Sequence, residues 1–221
     1  YSRTSKARVE ESRKDFLSEA ERLNALSGQV DNIVPVSEVF EANNTVYYVM
    51  EYLNGGSLSD IVKAGGPLPE QRALEIIEPV ARAVAFLHSH RINHLDIKPD
   101  NIMVDMSGRV KLADFGMATL SSMTGYSGAR GGTVGYMPPE QAEGGEVDVR
   151  TDVFAFAAVM YEALCGFSPF NADTLARSRE LVLAGAPDPC ALSDSIDVRA
   201  ADALLDALEP DPDARTPSAA E

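Results

Sequence analysis

The sequence is poor in cysteine. Its 221 residues contain two, Cys165 and Cys190, and neither belongs to a Cys-x-x-Cys pair or a Cys/His cluster. The chain therefore offers no cysteine-based metal or redox motif. Cys165 lies in an apolar run, and we expect it in the core, whereas nothing around Cys190 indicates a role. A reducing cytoplasm fits this cysteine usage better than secretion.

Positive charge and long apolar runs are also scarce. Lysine and arginine total 19 against 34 acidic residues, which gives a formal net charge of −15. Because so acidic a chain repels phosphate backbones and anionic lipid, we expect no nucleic-acid partner and no binding to a membrane surface. The longest apolar run, residues 153–165, is too short to span a bilayer and contains Glu162. A buried helix is the better interpretation of this run.

No signal peptide is visible at the start of the chain. Residues 1–14 are polar and charged, unlike a signal peptide. Because the chain begins without methionine and ends within a sequence pattern, at Ala-Ala-Glu, we expect it to be a fragment of a longer protein. Membrane attachment would then be possible only through segments outside this chain.

Hydrophobic periodicity predicts a small, partly β-structured N-terminal region and a mostly helical remainder, which is an α+β fold. Residues 12–26 have the apolar spacing of a helix, and a hairpin turn at 42–45 separates strands at 34–41 and 46–53. Asn54-Gly55-Gly56 then breaks the chain. We therefore expect a boundary between a small lobe over residues 1–53 and a large lobe over residues 54–221.

The predicted large lobe is helical apart from two short strands. Its predicted helices cover residues 57–63, 70–90, 149–165, 174–184 and 196–208. Ser57 should cap the first of these helices, and Pro79 should bend the second. The strands, at 102–105 and 110–113, flank a turn, and a loop rich in serine, threonine and glycine follows over residues 117–135.

Polar residues around the two short strands carry the chemistry. Asp96, Lys98 and Asn101 share one loop, and Asp114 follows the second strand. Phosphoryl transfer needs charge neutralisation and alignment more than covalent chemistry. Asp96 is a candidate base for an incoming hydroxyl, and Lys98 can offset the charge on a transferring phosphate. Asn101 and Asp114 offer the hard oxygen ligands that magnesium prefers.

The pattern H-x-D-x-K-x-x-N…D-F-G, at residues 94–101 and 114–116, resembles the eukaryotic-type protein kinases, in a form similar to the bacterial serine/threonine members. The resemblance implies a protein kinase-like α+β fold with a mostly helical large lobe and an incomplete small lobe of one helix and a strand pair. It also implies ATP and Mg²⁺ as cofactors. The implied reaction transfers the terminal phosphate of Mg-ATP to serine or threonine hydroxyls of a protein substrate.

A second segment, residues 132–140, is similar to the family's substrate-docking segment. The resemblance implies that Thr133 bonds the catalytic aspartate and lysine, which is a mark of serine/threonine kinases. It further implies that Asp152 holds the backbone of the catalytic loop and that Arg215 pairs with Glu140.

The nucleotide-binding residues follow from the resemblance alone. Residues 49–53, Val-Met-Glu-Tyr-Leu, resemble the strand that runs into the adenine hinge. The implied contacts are Met50 as gatekeeper, the backbone of Glu51 and Leu53 for adenine, Met103 as the pocket floor, Ser57 for ribose and Glu19 as the partner of a strand lysine. For the two methionines, plain core packing is an alternative that is compatible with these roles.

Parts of the family pattern are missing or altered. No G-x-G-x-x-G-x-V loop and no strand lysine precede Glu19. Because Glu19 itself is present, we expect truncation before residue 1, and slightly after residue 221, rather than degeneration. We therefore expect little activity from this chain alone. Leu95 stands where most relatives carry the arginine that clamps a phosphorylated activation loop, so we expect no strong switch by loop phosphorylation.

Two rival functions remain open beside a protein serine/threonine kinase domain. A catalytically inactive kinase-fold module, with a binding or regulatory role, would be distinguished by the upstream Gly-rich loop and strand lysine. A small-molecule phosphotransferase would share the Asp…Asn…Asp set. Residues 132–140 argue against the second rival, because such enzymes lack a peptide-docking segment.

Overall fold

The computed structural model describes residues 26, 28–43, 45–114, 119–120 and 132–220. The predicted helix over residues 12–26, apart from Leu26, lies outside the described residues, and Glu19 with it. The same holds for Phe115 and Gly116 and for most of the predicted loop over residues 117–135. The pairing of Glu19 with a strand lysine therefore stays a prediction.

The predicted hairpin is present at the start of the described chain. Strands β1 (Val36–Ala42) and β2 (Thr45–Met50) are antiparallel, with Ala42 opposite Thr45 at the turn. Both strands lie within a few residues of their predicted bounds. The chain leaves β2 directly into the predicted adenine hinge, so the hairpin sets the position of that segment.

The remainder is mainly helical, as predicted. The helices are α1 (Leu58–Gly65), α2 (Glu70–Ser89), α3 (Pro139–Ala142), α4 (Val149–Cys165), α5 (Leu175–Ala184), α6 (Pro189–Leu192) and α7 (Val198–Ala207). Side chains of Ser57, Asp148, Thr174 and Asp197 accept hydrogen bonds from first-turn N–H groups, which explains where α1, α4, α5 and α7 begin. Helix α2 continues through Pro79. The single turns α3 and α6 were not predicted, because they are too short to show a periodic pattern.

Short strand pairs hold the loop that carries the candidate catalytic residues. Strands β4 (Ile102–Val104) and β5 (Val110–Leu112) are antiparallel, and β3 (Ile92–Asn93) pairs with β6 (Thr119–Leu120). Strand β6 falls within the stretch predicted to be a loop. The prediction was wrong at those two residues, because a strand of that length leaves no alternating pattern.

Two close approaches join the hairpin region to the β4–β5 pair. The Val34 N–H donates to the Leu112 carbonyl (2.9 Å), and the Leu112 N–H donates to the Asn32 carbonyl (2.8 Å). Gly55 lies against the neighbouring strand, where a Cβ would stand 2.0 Å from the Val104 carbonyl oxygen. Only glycine fits at that position, so the break after the hinge has a steric reason as well as a conformational one.

Helix α4 is the centre of the core, as expected from its apolar run. Phe154, Ala158 and Tyr161 have no exposed surface, and α2 packs against α4 with its own buried stripe of apolar residues. Cys165, at the end of α4, is half-buried and packs on this core. Within the part of the chain that the structure describes, no helix combines the length and the apolar composition needed to cross a membrane.

Candidate active site

The loop over residues 94–101 is held by one buried carboxylate. Asp152, in the first turn of α4, has no exposed surface. Its Oδ1 accepts from the Leu95 N–H (2.8 Å), and its Oδ2 accepts from the His94 N–H (2.7 Å). His88, near the end of α2, brings its Nε2 to 2.9 Å from the same Oδ2. The central helix thereby fixes the backbone that leads directly into Asp96.

Asp96, Lys98 and Thr133 form a closed triangle of hydrogen bonds. The Lys98 Nζ donates to Asp96 Oδ2 (2.7 Å) and to Thr133 Oγ1 (3.1 Å), and the Thr133 hydroxyl donates to Asp96 Oδ1 (2.9 Å). The Asp96 and Lys98 side chains keep 10 % and 20 % of their surface exposed. The structure thus brings together three residues that the sequence analysis assigned to catalysis, and leaves a charged pair accessible at the surface.

Asn101 connects this triangle to the second candidate metal ligand. Its Nδ2 donates to the Asp96 carbonyl (2.9 Å) and lies 3.4 Å from Asp96 Oδ2. The Asn101 backbone carbonyl accepts from the Ala113 N–H (2.8 Å), directly before Asp114. Because the amide nitrogen of Asn101 donates, its Oδ1 is the atom that suits a cation. An amide oxygen and the exposed Asp114 carboxylate are hard ligands of the type that magnesium takes.

His94 links the same two segments through its ring. Burial lowers the pKa of His94 below its usual value. Its Nε2 donates to the Ala113 carbonyl (3.2 Å), and its Nδ1 accepts from the Asp96 N–H (3.3 Å). Both contacts suit a neutral imidazole with its proton on Nε2. The ring therefore helps to set the distance between the loop of Asp96 and the strand end that carries Asp114.

The segment over residues 132–140 is anchored by the predicted ion pair. Arg215 is 3 % exposed, and its Nη1 donates to Glu140 Oε1 (2.8 Å). The Thr151 hydroxyl donates to the same oxygen (3.0 Å), and Arg215 also donates to the backbone carbonyls of Arg150 and Glu209. This network ties the end of the segment to the start of α4 and to the chain after α7.

A second polar contact fixes the middle of that segment. The Tyr136 hydroxyl donates to the Glu162 carboxylate of α4. Burial raises the pKa of both groups above their usual values. The contact places a partly buried acidic group behind the segment that the resemblance assigns to substrate docking.

The predicted adenine-binding residues lie where the chain leaves β2. Met50 is 44 % exposed, and Leu53 is buried. The Glu51 N–H donates to the Pro35 carbonyl (3.2 Å), so the Glu51 carbonyl is the backbone group there that can meet an adenine amine. The Glu51 side chain pairs with Lys111 Nζ (2.5 Å), which ties the hinge segment to β5.

Ser57 and Met103 meet on the other side of the hinge. Met103 is half-buried on β4, and the two residues form an isolated backbone bridge. The Ser57 hydroxyl donates to Asp60 Oδ2 (2.8 Å) and accepts from the Asp60 N–H (3.1 Å), and the Ser57 N–H donates to the same carboxylate (2.9 Å). This is a complete capping box. Ser57 therefore starts α1, and its contact with a ribose stays a prediction.

Some contacts that shape the site were not predicted from the sequence. They are the hydrogen bonds of His88 with Asp152, of Lys111 with Glu51, and of the Gln141 side-chain amide with the Leu95 carbonyl. A histidine in an apolar helix and a lysine in a short strand give no local signal of such long-range partners. Gln141 directly follows Pro-Pro-Glu, and this position was the signal that could have singled it out.

Comparison with known proteins agrees with this geometry. The family described as protein kinase domain matches residues 2–220. Serine/threonine-protein kinase PknB of Mycobacterium leprae is 37 % identical over 214 residues, which cover 93 % of this chain and 34 % of that protein. Serine/threonine-protein kinase PrkC of Bacillus subtilis is 38 % identical over 161 residues, 72 % of this chain and 24 % of that protein. Serine/threonine-protein kinase PknB of Mycolicibacterium smegmatis is 42 % identical over 167 residues, which cover 72 % of this chain and 26 % of that protein.

The chain spans between 24 % and 34 % of the length of these curated relatives. The family match, in contrast, runs across nearly the whole chain and includes both the loop of Asp96 and the segment anchored by Arg215. The chain therefore belongs to the protein kinase domain family, as a domain of the bacterial serine/threonine type.

Proposed function

We propose that the protein containing this chain is a kinase that transfers the terminal phosphate of ATP to serine or threonine hydroxyls of a protein substrate. The observation that carries the proposal is the hydrogen-bonded triangle of Asp96, Lys98 and Thr133. It joins a carboxylate and an ammonium group, both partly exposed, to the first residues of the segment similar to a peptide-docking segment. A small-molecule phosphotransferase binds no peptide and does not need such a segment.

Each member of the triangle has a role in this reaction. Asp96 accepts the hydrogen bond of the incoming hydroxyl, orients its oxygen and takes up its proton. Lys98 offsets the negative charge that develops on the transferring phosphate. The Thr133 hydroxyl holds Asp96 Oδ1 and so fixes the rotation of the carboxylate. Because these groups are already hydrogen-bonded to one another, they need little rearrangement before transfer.

The residues of this chain fit a magnesium–nucleotide complex. Asn101 Oδ1 and the Asp114 carboxylate would hold the metal. The backbone of Glu51 and Leu53 would bind the adenine, with Met50 as gatekeeper and Met103 as the pocket floor. Bound Mg-ATP supplies the phosphoryl group and the positive charge that neutralises its oxygens. We place the domain in the cytoplasm, where ATP is available and where the two free cysteines would stay reduced.

The test is the transfer of label from γ-labelled ATP to a generic protein substrate by the natural full-length protein, followed by identification of the labelled amino acid. We expect phosphoserine and phosphothreonine, and a strong loss of transfer in Asp96→Asn. A full-length protein that binds Mg-ATP but transfers no label would be a kinase-fold binding module instead. The 221-residue chain, assayed in parallel, should be barely active, because it contains neither a G-x-G-x-x-G-x-V segment nor a strand lysine.

A further inference from the structure

The Gln141 side chain is hydrogen-bonded to the backbone directly before Asp96. It lies on α3, directly after Glu140, and is 3 % exposed. Its Nε2 donates to the Leu95 carbonyl at 2.7 Å. That carbonyl belongs to the peptide group that joins Leu95 to Asp96. The side-chain amide of Gln141 therefore fixes the orientation of the peptide that aims the Asp96 side chain.

The Leu95 backbone needs such support. Its φ of 64° is in the left-handed region, which residues other than glycine rarely adopt. The strain is held from both ends by side chains of different helices: the Leu95 N–H donates to Asp152 on α4, and the Leu95 carbonyl accepts from Gln141 on α3. A conformation of this kind persists only where its surroundings determine it more than once.

The other side of Gln141 reaches the neighbour of Thr133. A Cβ on Gly132 would stand 3.1 Å from Gln141 Nε2 and 2.8 Å from Met137 Cε, so the Gln141 amide lies beside the Gly132 backbone. Gln141 is thus hydrogen-bonded to the residue before Asp96 and lies next to the residue before Thr133. Asp96 and Thr133 are hydrogen-bonded to each other.

We propose that Gln141 is a positioning residue for phosphoryl transfer, which holds Asp96 and Thr133 in register through Leu95 and Gly132. The inference rests on the proposed kinase function and adds to it a residue that acts through Asp96. Loss of the Nε2 donor frees the Leu95 peptide to rotate. The Asp96 carboxylate then spends less time aligned with the incoming hydroxyl, while the hinge backbone at Glu51 and Leu53 keeps its position.

The test compares Gln141→Met, which keeps the length of the side chain and removes the donor, with Gln141→Leu as a second variant, both in the natural full-length protein. The matched control is Tyr161→Phe. Tyr161 has no exposed surface and its hydroxyl donates to the Pro187 carbonyl (3.1 Å), so this change also removes one buried donor from a backbone carbonyl, but outside the candidate site. Each variant is made with and without Asp96→Asn. The measurements are kcat, KM for ATP, KM for the protein substrate and the melting temperature.

We expect both Gln141 variants to lower kcat by about 10- to 100-fold, the scale of a small misplacement of a catalytic group, with KM for ATP unchanged. Tyr161→Phe should lower the melting temperature and leave kcat within about twofold of wild type, because its hydrogen bond is with the chain after α5 and not with the loop of Asp96. In the Asp96→Asn background, Gln141→Met should have no further effect on kcat, because residues that act through one another are not additive.

Two results would overturn the inference and leave the kinase assignment intact. One is a folded Gln141→Met or Gln141→Leu protein with wild-type kcat. The other is an equal loss of kcat in the wild-type and Asp96→Asn backgrounds, which would mean that Gln141 does not act through Asp96. A wild-type protein that transfers no phosphate overturns the proposed function, and the inference with it.

Discussion

Arg215 and Glu140, 75 residues apart in the sequence, form an ion pair inside the helical part of the molecule, with Nη1 2.8 Å from Oε1. The Arg215 side chain has no exposed surface, and its guanidinium lies 5.0 Å from the centre of the Phe154 ring. Removal of one partner leaves a buried charge without compensation. We therefore expect Arg215→Ala to lower the free energy of unfolding by about 3–5 kcal/mol, measured by denaturant titration.

The control for this prediction is an exposed pair on α2. Arg82 and Glu78 form an ion pair with 68 % and 62 % of their side chains exposed. Because water already solvates both charges, Arg82→Ala should change the free energy of unfolding by less than about 1 kcal/mol. An Arg215→Ala protein that unfolds like Arg82→Ala would show that the buried pair contributes no more than a surface pair.

Substitutions at Ser57 can distinguish a helix-capping role from a contact with ribose. The Ser57 hydroxyl exchanges hydrogen bonds with Asp60 at the start of α1. Loss of such a cap costs about 0.5–2 kcal/mol, so Ser57→Ala should unfold more easily, and Ser57→Thr should keep most of the stability. If the hydroxyl acts only as a helix cap, KM for ATP is unchanged in both variants. A raised KM for ATP in Ser57→Ala with unchanged stability would favour the ribose contact instead.

Substitutions of Asp96 and Asp114 should impair different steps of the reaction. Asp114→Asn removes an anionic candidate metal ligand, so binding of a fluorescent ATP analogue with magnesium should weaken together with turnover. Asp96→Asn changes the group that meets the hydroxyl, so turnover should fall while nucleotide binding is kept. An equal loss of nucleotide affinity in the two variants would contradict these roles.

Because position 95 is a leucine, we expect turnover not to depend on phosphorylation of the loop over residues 117–135. The Leu95 side chain is apolar and only 4 % exposed, so position 95 offers no guanidinium beside Asp96 to a phosphate on the loop. We expect the full-length protein to keep its turnover when Ser121, Ser122, Thr124, Tyr126 and Ser127 are changed to Ala or Phe. A large loss of turnover that one restored hydroxyl residue reverses would show that the loop is a switch, and Arg130 would be the first partner to test.

Glu162 should give the stability a pH dependence of known sign. Burial raises its pKa above the usual value, although the Tyr136 hydroxyl donates to it. A carboxyl with a raised folded-state pKa stabilises the fold below its unfolded pKa, and this contribution is lost as the pH rises through the folded pKa. The free energy of unfolding of wild type relative to Glu162→Gln should therefore fall as the pH rises above about 4.3, the ordinary pKa of a glutamate carboxyl. A difference that is constant or rises with pH would contradict the shift.

The sequence predicted those elements that are long enough to show a repeat. Helices α2 and α4 have a buried stripe or a buried core run over many residues, and α5 begins at the capping Thr174, so their positions were visible locally. The strand pair β3–β6 and the single-turn helices α3 and α6 have too few residues to show a periodic pattern of apolar positions. Their existence depends on contacts made after the chain has folded.

The site was predictable only as far as its residues are close together in a known pattern. Asp96, Lys98 and Asn101 lie within one loop, and the resemblance supplied Thr133 and Arg215. The contact of Gln141 with Leu95 joins residues 46 apart, and that of Lys111 with Glu51 joins residues 60 apart. No local pattern fixes such pairs, because their distance is set by the packing of α3 and of β5 and not by the chain between them.

The attachment of the His94 and Leu95 amides to Asp152 has a consequence for the order in which the molecule opens. Amides bound to a fully buried carboxylate exchange with solvent only when the central helix itself unfolds, whereas a hairpin with exposed side chains opens locally. In hydrogen exchange, the loop of Asp96 should therefore belong to the most protected cooperative unit, together with α4. The β1–β2 hairpin, which carries Met50 and leads to Glu51, opens at lower free energy. Under mild destabilisation we expect the proposed adenine-binding segment to lose its structure first, while the geometry of the loop around Asp96 persists.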